Sequence, residues 1–589
     1  MKTKFAHDLP FGASLLPSGA TRFRFWAPAQ KQVSLEIDGA APMPMKATDD
    51  GWFEREVACS AGTSYRYRLD SGVSVPDPAS RAQADDVHGP SLVVDPRRHD
   101  WRHTEWRGRP WHETVLYELH VGAFGGFAGV QAALPVLADL GVTAVELMPI
   151  NDFPGRRNWG YDGVLPFAPD RSYGTPDELK ALVDAAHGLG LMMFLDVVYN
   201  HFGPDGNYLS AYAPAFFRED IATPWGAAID FRRPEVRRYF TENAVYWVNE
   251  YRFDGLRFDA VHAISEADWL DEMAAEVRRS VEPGRHVHLV LEHDGNVADH
   301  LRRDFDAQWN DDAHHVLHTM LTGERDGYYA DYADAPARRL ARALSEGFIY
   351  QGDPSAYRNG EGRGTPSNDL PPTSFVLFLQ NHDQIGNRPF GDRLTSHVDP
   401  ERLEAAIAVQ LLAPHVPMIF MGEEEASRSP FLYFTDHKGD LADAVREGRR
   451  REFAGFKAFA PGEGTSSIPD PNEPSTFERS RLVADAEQGT ARRHLYRRLL
   501  GIRRESLTGR LQGARSLGAS AVEPATVVAR WQLGDGGTFT LVCNLGSDPA
   551  IIESVEGDLL YESRAGAGAA ARSGRIAGAT TVALLGAAS

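Results

Sequence analysis

From Thr114 to about residue 420 the chain repeats one pattern: a short apolar run, an amphipathic helix closed by a turn signal, and another apolar run. The runs include TVLYELHVGAF, VTAVELMPI, LMMFLDVVYNH, FDGLRFDAV, HVHLVLEHD, FDAQWN, SFVLFLQNHD and HVPMIFMGEE. Their nearly continuous hydrophobicity predicts strands buried on both faces, as in a parallel sheet covered by helices. Between them, segments such as DELKALVDAAHGLG and EADWLDEMAAEVRRSV space apolar residues at three to four, the period of a helix with one buried face. Eight strand candidates favour a closed (β/α)8 barrel over an open sheet.

The flanks read differently. In TRFRFWAP, Phe23, Phe25 and Ala27 alternate with Arg22, Arg24 and Trp26, and QVSLEIDG, GWFEREV and TSYRYRLDSG follow with turn signals between them. Short alternating strands of this kind predict a β-sandwich. Residues 1–95 are therefore expected to form an N-terminal β-sandwich resembling a carbohydrate-binding domain, with Pro76 to Ser91 as an irregular linker. Residues 96–509 are the barrel, with longer insertions after Asn200, Tyr328 and Phe420, and ARRHLYRRLLGIRRESL is its final helix. TVVARWQL and TFTLVCNL then alternate around GDGG, so 510–589 is read as a C-terminal β-domain. A chain of 589 residues accommodates three such regions at roughly 100–200 residues each.

The formal net charge of −21 argues against nucleic-acid binding, which needs clustered Lys and Arg, and against an anionic membrane surface. Two cysteines far apart, Cys59 and Cys543, support neither a disulfide framework nor a cysteine metal site. The first twenty residues hold no apolar run of signal-peptide length, and nothing approaches the ~20 apolar residues of a membrane span. A soluble, cytoplasmic protein is expected.

In a barrel of this kind the chemistry sits where strands end at the carboxyl face. Four strand ends, DVVYNH, DGLRFDAVH, LEHD and LQNHDQ, each carry a carboxylate: Asp196, Asp259, Glu292 and Asp383. Side chains alternate along a strand, so Arg257 and Asp259 share one face. The arginine favours an ionised Asp259, a candidate nucleophile. Glu292 follows Leu289, Val290 and Leu291; against an apolar wall its pKa would rise, as a general acid requires. Asp383 would hold sugar hydroxyls, and the strand must break there, because Asn381, His382 and Asp383 cannot all share one face. Two carboxylates flanking a bond, with polar groups to grip hydroxyls, is what glycoside cleavage needs.

These motifs resemble the α-amylase superfamily of glycoside hydrolases over nearly the whole chain. The resemblance implies Asp259 as nucleophile, Glu292 as general acid/base and Asp383 as transition-state stabiliser. It places Arg257, His201, His382 and Tyr161 (in NWGYDG) around the cleaved sugar, with Asp196 and Asn200 as supports. NWGYDG, TPWG, AQWNDDAHHVLH and MGEEEASRSPFLYFTDH are similar to the branch that releases trehalose from maltooligosyltrehalose. That implies a retaining α-glycosidase with maltooligosyltrehalose and related α-glucans as partners, and with His262, Asp436 and Trp225 as further substrate contacts. Where many α-amylases carry a Lys-His pair after the nucleophile, this chain has His262-Ala263, a departure that fits the same branch. A glycogen branching or debranching enzyme, and a non-catalytic glucan-binding protein on the same fold, are the alternatives; the latter would be expected to lack one of the three carboxylates.

Other clusters get plainer readings. His314 and His318, at i and i+4 beside Asp311, Asp312 and His315, lack a further ligand and are expected to line or buttress the cleft. No dense Asp/Asn calcium loop is present, so neither metal nor cofactor is expected. Glu423, Glu424 and Glu425 read as an acidic rim, and Arg449 to Phe453 (RRREF) as a solvated or ion-paired helix face.

Overall fold

The computed structural model describes residues 5–453 and 468–587. Eight parallel strands close into a barrel: β1 Leu116–Leu119, β2 Ala144–Leu147, β3 Met192–Val197, β4 Gly255–Phe258, β5 His288–Leu291, β6 Ala307–Trp309, β7 Phe375–Leu377 and β8 Val416–Phe420. β1 pairs with both β2 and β8, which completes the ring. Every residue of these strands is buried, as continuous apolar runs require. Leu116, Ala144, Met192, Phe194, Val290, Val376 and Met418 fill the interior. The strands are shorter than the apolar runs. The polar residues at their carboxyl ends leave the ladder for turns and loops, which frees their side chains for other partners.

Helices cover the ring. Pro176–Gly188 starts at a capping box, in which Thr175 and Glu178 satisfy each other's backbone N–H groups. Phe127–Leu140 ends on Gly141 in the left-handed conformation. No helix among the described residues is long and apolar enough to cross a membrane.

Two sheets precede the barrel. Strands Gly12–Leu15, Thr21–Trp26, Trp52–Val57 and Lys46–Ala47 form one, and Met43–Pro44, Ser34–Ile37, Ser64–Arg68, Ser74–Val75 and Ser91–Leu92, the last paired with Ser64–Arg68, the other. The Phe23 and Tyr65 ring centroids lie 4.8 Å apart and those of Phe25 and Tyr67 4.2 Å apart, so the sheets pack face to face. The Pro76–Ser91 segment is irregular up to Ser91, which pairs with Tyr65 as the start of a short strand, and it is packed inward. Asp77 is buried and accepts from the hydroxyls of Tyr65 (2.8 Å) and Tyr67 (3.2 Å). Arg81 pairs with the fully buried Glu250 on the barrel at 3.3 Å. Its polar residues are those of a solvated loop, but Asp77, Ser80, Arg81 and Gln83 are buried and find partners.

After the barrel, an antiparallel sheet runs in the order Arg515–Val522, Thr526–Gln532, Thr538–Asn544, Thr580–Gly586, Asp558–Glu562. One expectation is overturned nearby. Glu423 and Glu424 form no rim: both are buried, and they accept from Tyr496 (2.9 Å) and Tyr117 (2.9 Å). Of the two readings of the arginine run, Arg449 takes the ion-paired one: in the helix Gly439–Phe453 it pairs with Glu452 at 3.0 Å and is buried against Tyr433 and Phe453. The burial of Glu423, Glu424 and Arg449 has one cause: the chain after β8 folds back over the barrel and buries charges that find partners there.

Candidate active site

Closure of the barrel sets the residues side by side. Asp196 on β3 is the register partner of Arg257 on β4, and Arg257 is the partner of Val290 on β5. Asp259 lies one residue beyond β4, where its N–H donates to Val197 O at 3.0 Å. Ala260 then turns the chain with φ of +40°, in the left-handed region that non-glycine residues rarely adopt. That turn points the Ala260 N–H at Glu292 Oε2, 2.8 Å away. Glu292, one residue beyond β5, is tied back by its own N–H to Phe258 O at 3.1 Å.

Arg257 is the hub. Its side chain is fully buried, and its guanidinium lies 4.1 Å over the Trp309 ring. Nη1 donates to Asp196 Oδ2 at 2.5 Å and to Asp259 Oδ1 at 3.0 Å, and Nη2 donates to Glu292 Oε2 at 2.6 Å. The pairing of Arg257 with Asp259 is as the sequence predicts; its sharing with Glu292 is not legible from the chain. Burial pushes the Glu292 carboxyl well above its ordinary pKa; Arg257 opposes this, while Asp259 and Asp383 add to it. Burial likewise carries Asp196 up to about 6 against the pull of Arg257.

The other expected residues surround this hub. Tyr161 donates its hydroxyl to Asp196 Oδ2 at 2.6 Å and stacks on His382 with centroids 5.0 Å apart. Asn200 Nδ2 donates to Asp259 Oδ2 at 3.2 Å, and its Oδ1 lies 2.6 Å from His201 Nδ1. His201 Nε2 meets Tyr161 O at 2.9 Å, and the Trp225 ring stacks on His201 at 4.4 Å. Trp225 sits at the tip of the hairpin Phe217–Thr223 and Gly226–Ile229, exposed on its other side.

Beyond β7 the chain does break, into the short helix His382–Gly386 capped by Asn381. His382 points down to β1, with Nδ1 at 2.5 Å from Glu118 Oε1 and its N–H donating to Oε2 at 3.0 Å. Burial alone would lower the His382 pKa, but Glu118 and Asp383 outweigh it and push it up to about 9. Asp383 is half-exposed, 3.7 Å from His382 Nε2, and accepts from Asn387 Nδ2 at 3.1 Å. Glu292, Asp294, Asp311, His315, Tyr357 and Asp383 are among the residues lining an open cleft of about 870 Å³. His262, in the turn after Asp259, borders that cleft through Asp294, whose N–H reaches its Nδ1 at 3.4 Å.

Asp436 is placed differently. It is buried, and its partners are Arg157 Nη2 (2.5 Å), Lys438 Nζ (2.6 Å) and the Arg156 N–H (3.0 Å). These contacts tie two loops together and engage none of the three strand-end carboxylates. The histidines of the helix Asp311–Thr322 divide: His315 lines the cleft, His318 pairs with Glu324 at 2.8 Å, and His314 stacks on Phe378. Among the described residues no group of three or more His, Cys, Asp or Glu side chains is arranged to hold a metal.

Two residues escaped the sequence reading. Glu118 and Glu146 are register partners on β1 and β2, both buried under the site. Burial, with Glu118 and Asp196 adding to it, raises Glu146 well above its ordinary pKa. The available signal was one acid in each of two otherwise apolar strands, LYEL and AVEL.

The family described as "Alpha amylase, catalytic domain" matches residues 86–215, and a domain of unknown function, DUF3459, matches 514–584. The chain is 41% identical to the malto-oligosyltrehalose trehalohydrolase of Deinococcus radiodurans, over 92% of this chain and 91% of that one. It is 40% identical to the malto-oligosyltrehalose trehalohydrolase of Saccharolobus solfataricus, over 84% of this chain and 87% of that one. Among solved structures, a protein of Salmonella typhimurium superposes with a TM-score of 0.93 at 43% identity, covering 99% of this chain and 100% of its own.

Proposed function

The chain belongs to the malto-oligosyltrehalose trehalohydrolases of the α-amylase superfamily, and from that premise we propose that it cleaves the α-1,4-glucosidic bond next to the terminal trehalose of malto-oligosyltrehalose, releasing trehalose. The observation that carries the mechanism is the sharing of the Arg257 guanidinium among Asp196, Asp259 and Glu292 at the ends of three consecutive strands.

Asp259 acts as nucleophile. Arg257 and Asn200 donate to its two oxygens, which fixes the orientation of the carboxylate at the end of β4. Glu292 acts as general acid. Burial keeps its proton, and Oε2 is occupied by Arg257 and the Ala260 N–H, so Oε1 is the oxygen that carries it. Attack of the Asp259 carboxylate on the anomeric carbon breaks the bond to the leaving oxygen, which takes the Glu292 proton and departs as trehalose. The Glu292 carboxylate then takes a proton from water, whose oxygen attacks the same carbon and frees Asp259, so the configuration is retained. Asp383 and His382 hold hydroxyls of the distorted sugar, and Tyr161 stacks beneath it. Trp225 and His262 flank the leaving group.

The test is product identity. Incubation with malto-oligosyltrehalose should give free trehalose, and a maltooligosaccharide of equal length should react far more slowly. Release of maltose at equal rates would return the chain to ordinary amylase action, and new branch points on a glucan would mark a branching enzyme.

A further inference from the structure

Arg449 lies outside the carboxylate cluster, on the helix Gly439–Phe453 that follows β8, and it is buried. Nη2 donates to the carbonyl of Gly386, the last residue of the short helix carrying Asp383. Nη1 donates to Asn387 Oδ1 at 3.3 Å and to Glu452 Oε2 at 3.0 Å. The guanidinium also stacks on Phe453 at 4.5 Å and on Tyr433 at 5.3 Å.

An amide has one donor end and one acceptor end. Because Arg449 has only donors, its contact with Asn387 fixes Oδ1 towards the arginine. The Nδ2 end must then face the other way, where it donates to Asp383 Oδ1 at 3.1 Å. The short helix is seated from its other side by Trp159, which a Cβ at Gly386 would meet at 2.0 Å. Without the arginine, the amide can flip and present an oxygen to the carboxylate, a repulsive contact.

We infer that Arg449 is a positioning residue for the reaction, setting the Asn387 amide and, through it, the orientation of Asp383. This rests on the role of Asp383 given under the proposed function. It assigns the post-barrel helix a part in catalysis although it supplies no group to the reacting atoms. Orientation of a group that acts in the transition state affects turnover more than substrate capture.

The experiment is a double-mutant cycle on malto-oligosyltrehalose. Arg449→Met and Asn387→Ala are each expected to lower kcat about tenfold or more, with KM within about threefold, and the double variant to be no slower than the slower single. Losses that multiply in the double variant would overturn the inference, since a helix merely anchored by Arg449 would act independently of Asn387. Should circular dichroism show Arg449→Met unfolded, the cycle is run with Arg449→Lys, which keeps the charge but not the two-point fork. Asp383→Asn, measured alongside, separates the levels. Near-full activity in that variant removes the reading of Asp383. An inactive Asp383→Asn beside unimpaired Arg449 variants overturns this inference alone.

Discussion

Arg257 lies closer to Glu292, at 2.6 Å, than to Asp259, at 3.0 Å. One buried cation thus serves the two carboxyls that the proposed mechanism needs in opposite protonation states. The conflict is resolved by environment. Asp259 also has Asn200 on its second oxygen, whereas burial holds the proton on Glu292.

Asp259→Asn and Glu292→Gln should each leave the fold intact and cost roughly 10²–10⁴ in kcat or more, since each removes a role no neighbour supplies. Azide should separate the two variants by configuration: in Asp259→Asn it takes the place of the nucleophile and gives the inverted glycosyl azide, whereas any glycosyl azide formed by Glu292→Gln, through the Asp259 intermediate, keeps the α configuration. Near-full turnover of Asp259→Asn would falsify the assignment.

The alkaline limb of activity should belong to Glu292. Its raised pKa means that activity, which needs the protonated acid, is present below that pKa and is lost as pH rises through it. Residual turnover of Glu292→Gln should therefore lack this limb. A limb of the same midpoint in the variant would assign it to another group.

His382 is also shifted upward, but the form that its surroundings favour is the charged one. Its pKa of about 9 in the folded chain exceeds the ordinary 6.5, so its paired charge contributes stability fully below about 6.5 and loses it as pH rises through about 9. The contribution is on the order of 3 kcal/mol. Glu118→Gln should flatten the fall in Tm between these limits and move the His382 imidazole NMR titration down. An unmoved titration would show that Glu118 is not the cause.

The first glucan product should keep its α configuration, because attack by Asp259 and then by water inverts the anomeric carbon twice. NMR of the first-formed anomer decides this; a β anomer would exclude the covalent route.

Asp436→Ala should lower activity on malto-oligosyltrehalose and on plain maltooligosaccharide alike. Its oxygens are committed to Arg157, Lys438 and the Arg156 N–H, so its removal costs roughly 1–3 kcal/mol of stability by stranding Arg157. A selective loss on the trehalose-bearing substrate, with Tm unchanged, would instead make it a sugar contact.

The barrel and its carboxylates were legible because parallel strands impose continuous apolar runs and strand ends collect polar residues. Arg257-x-Asp259 could be placed from the alternation of side chains alone. What escaped depends on which strands meet. Glu118 reaches His382 across 264 residues because the ring closes, and no local pattern carries that information. The burial of Glu424 and Arg449 escaped for the same reason: runs of charge are usually solvated, and only the fold-back of the chain after β8 carries Glu424 to Tyr117 on β1 and Arg449 to Gly386 beyond β7.

Glu250 on the barrel is fully buried; it accepts from Lys180 at 3.1 Å and from the His7 N–H at 3.1 Å, and pairs with Arg81 at 3.3 Å. Two of these three donors come from the chain ahead of the barrel. Excising that chain would leave a carboxylate inside the barrel wall with part of its compensation gone, at a cost of several kcal/mol. The sandwich is therefore no detachable module: the catalytic region cannot be trimmed to a minimal enzyme or grafted onto a foreign leader without refitting residue 250.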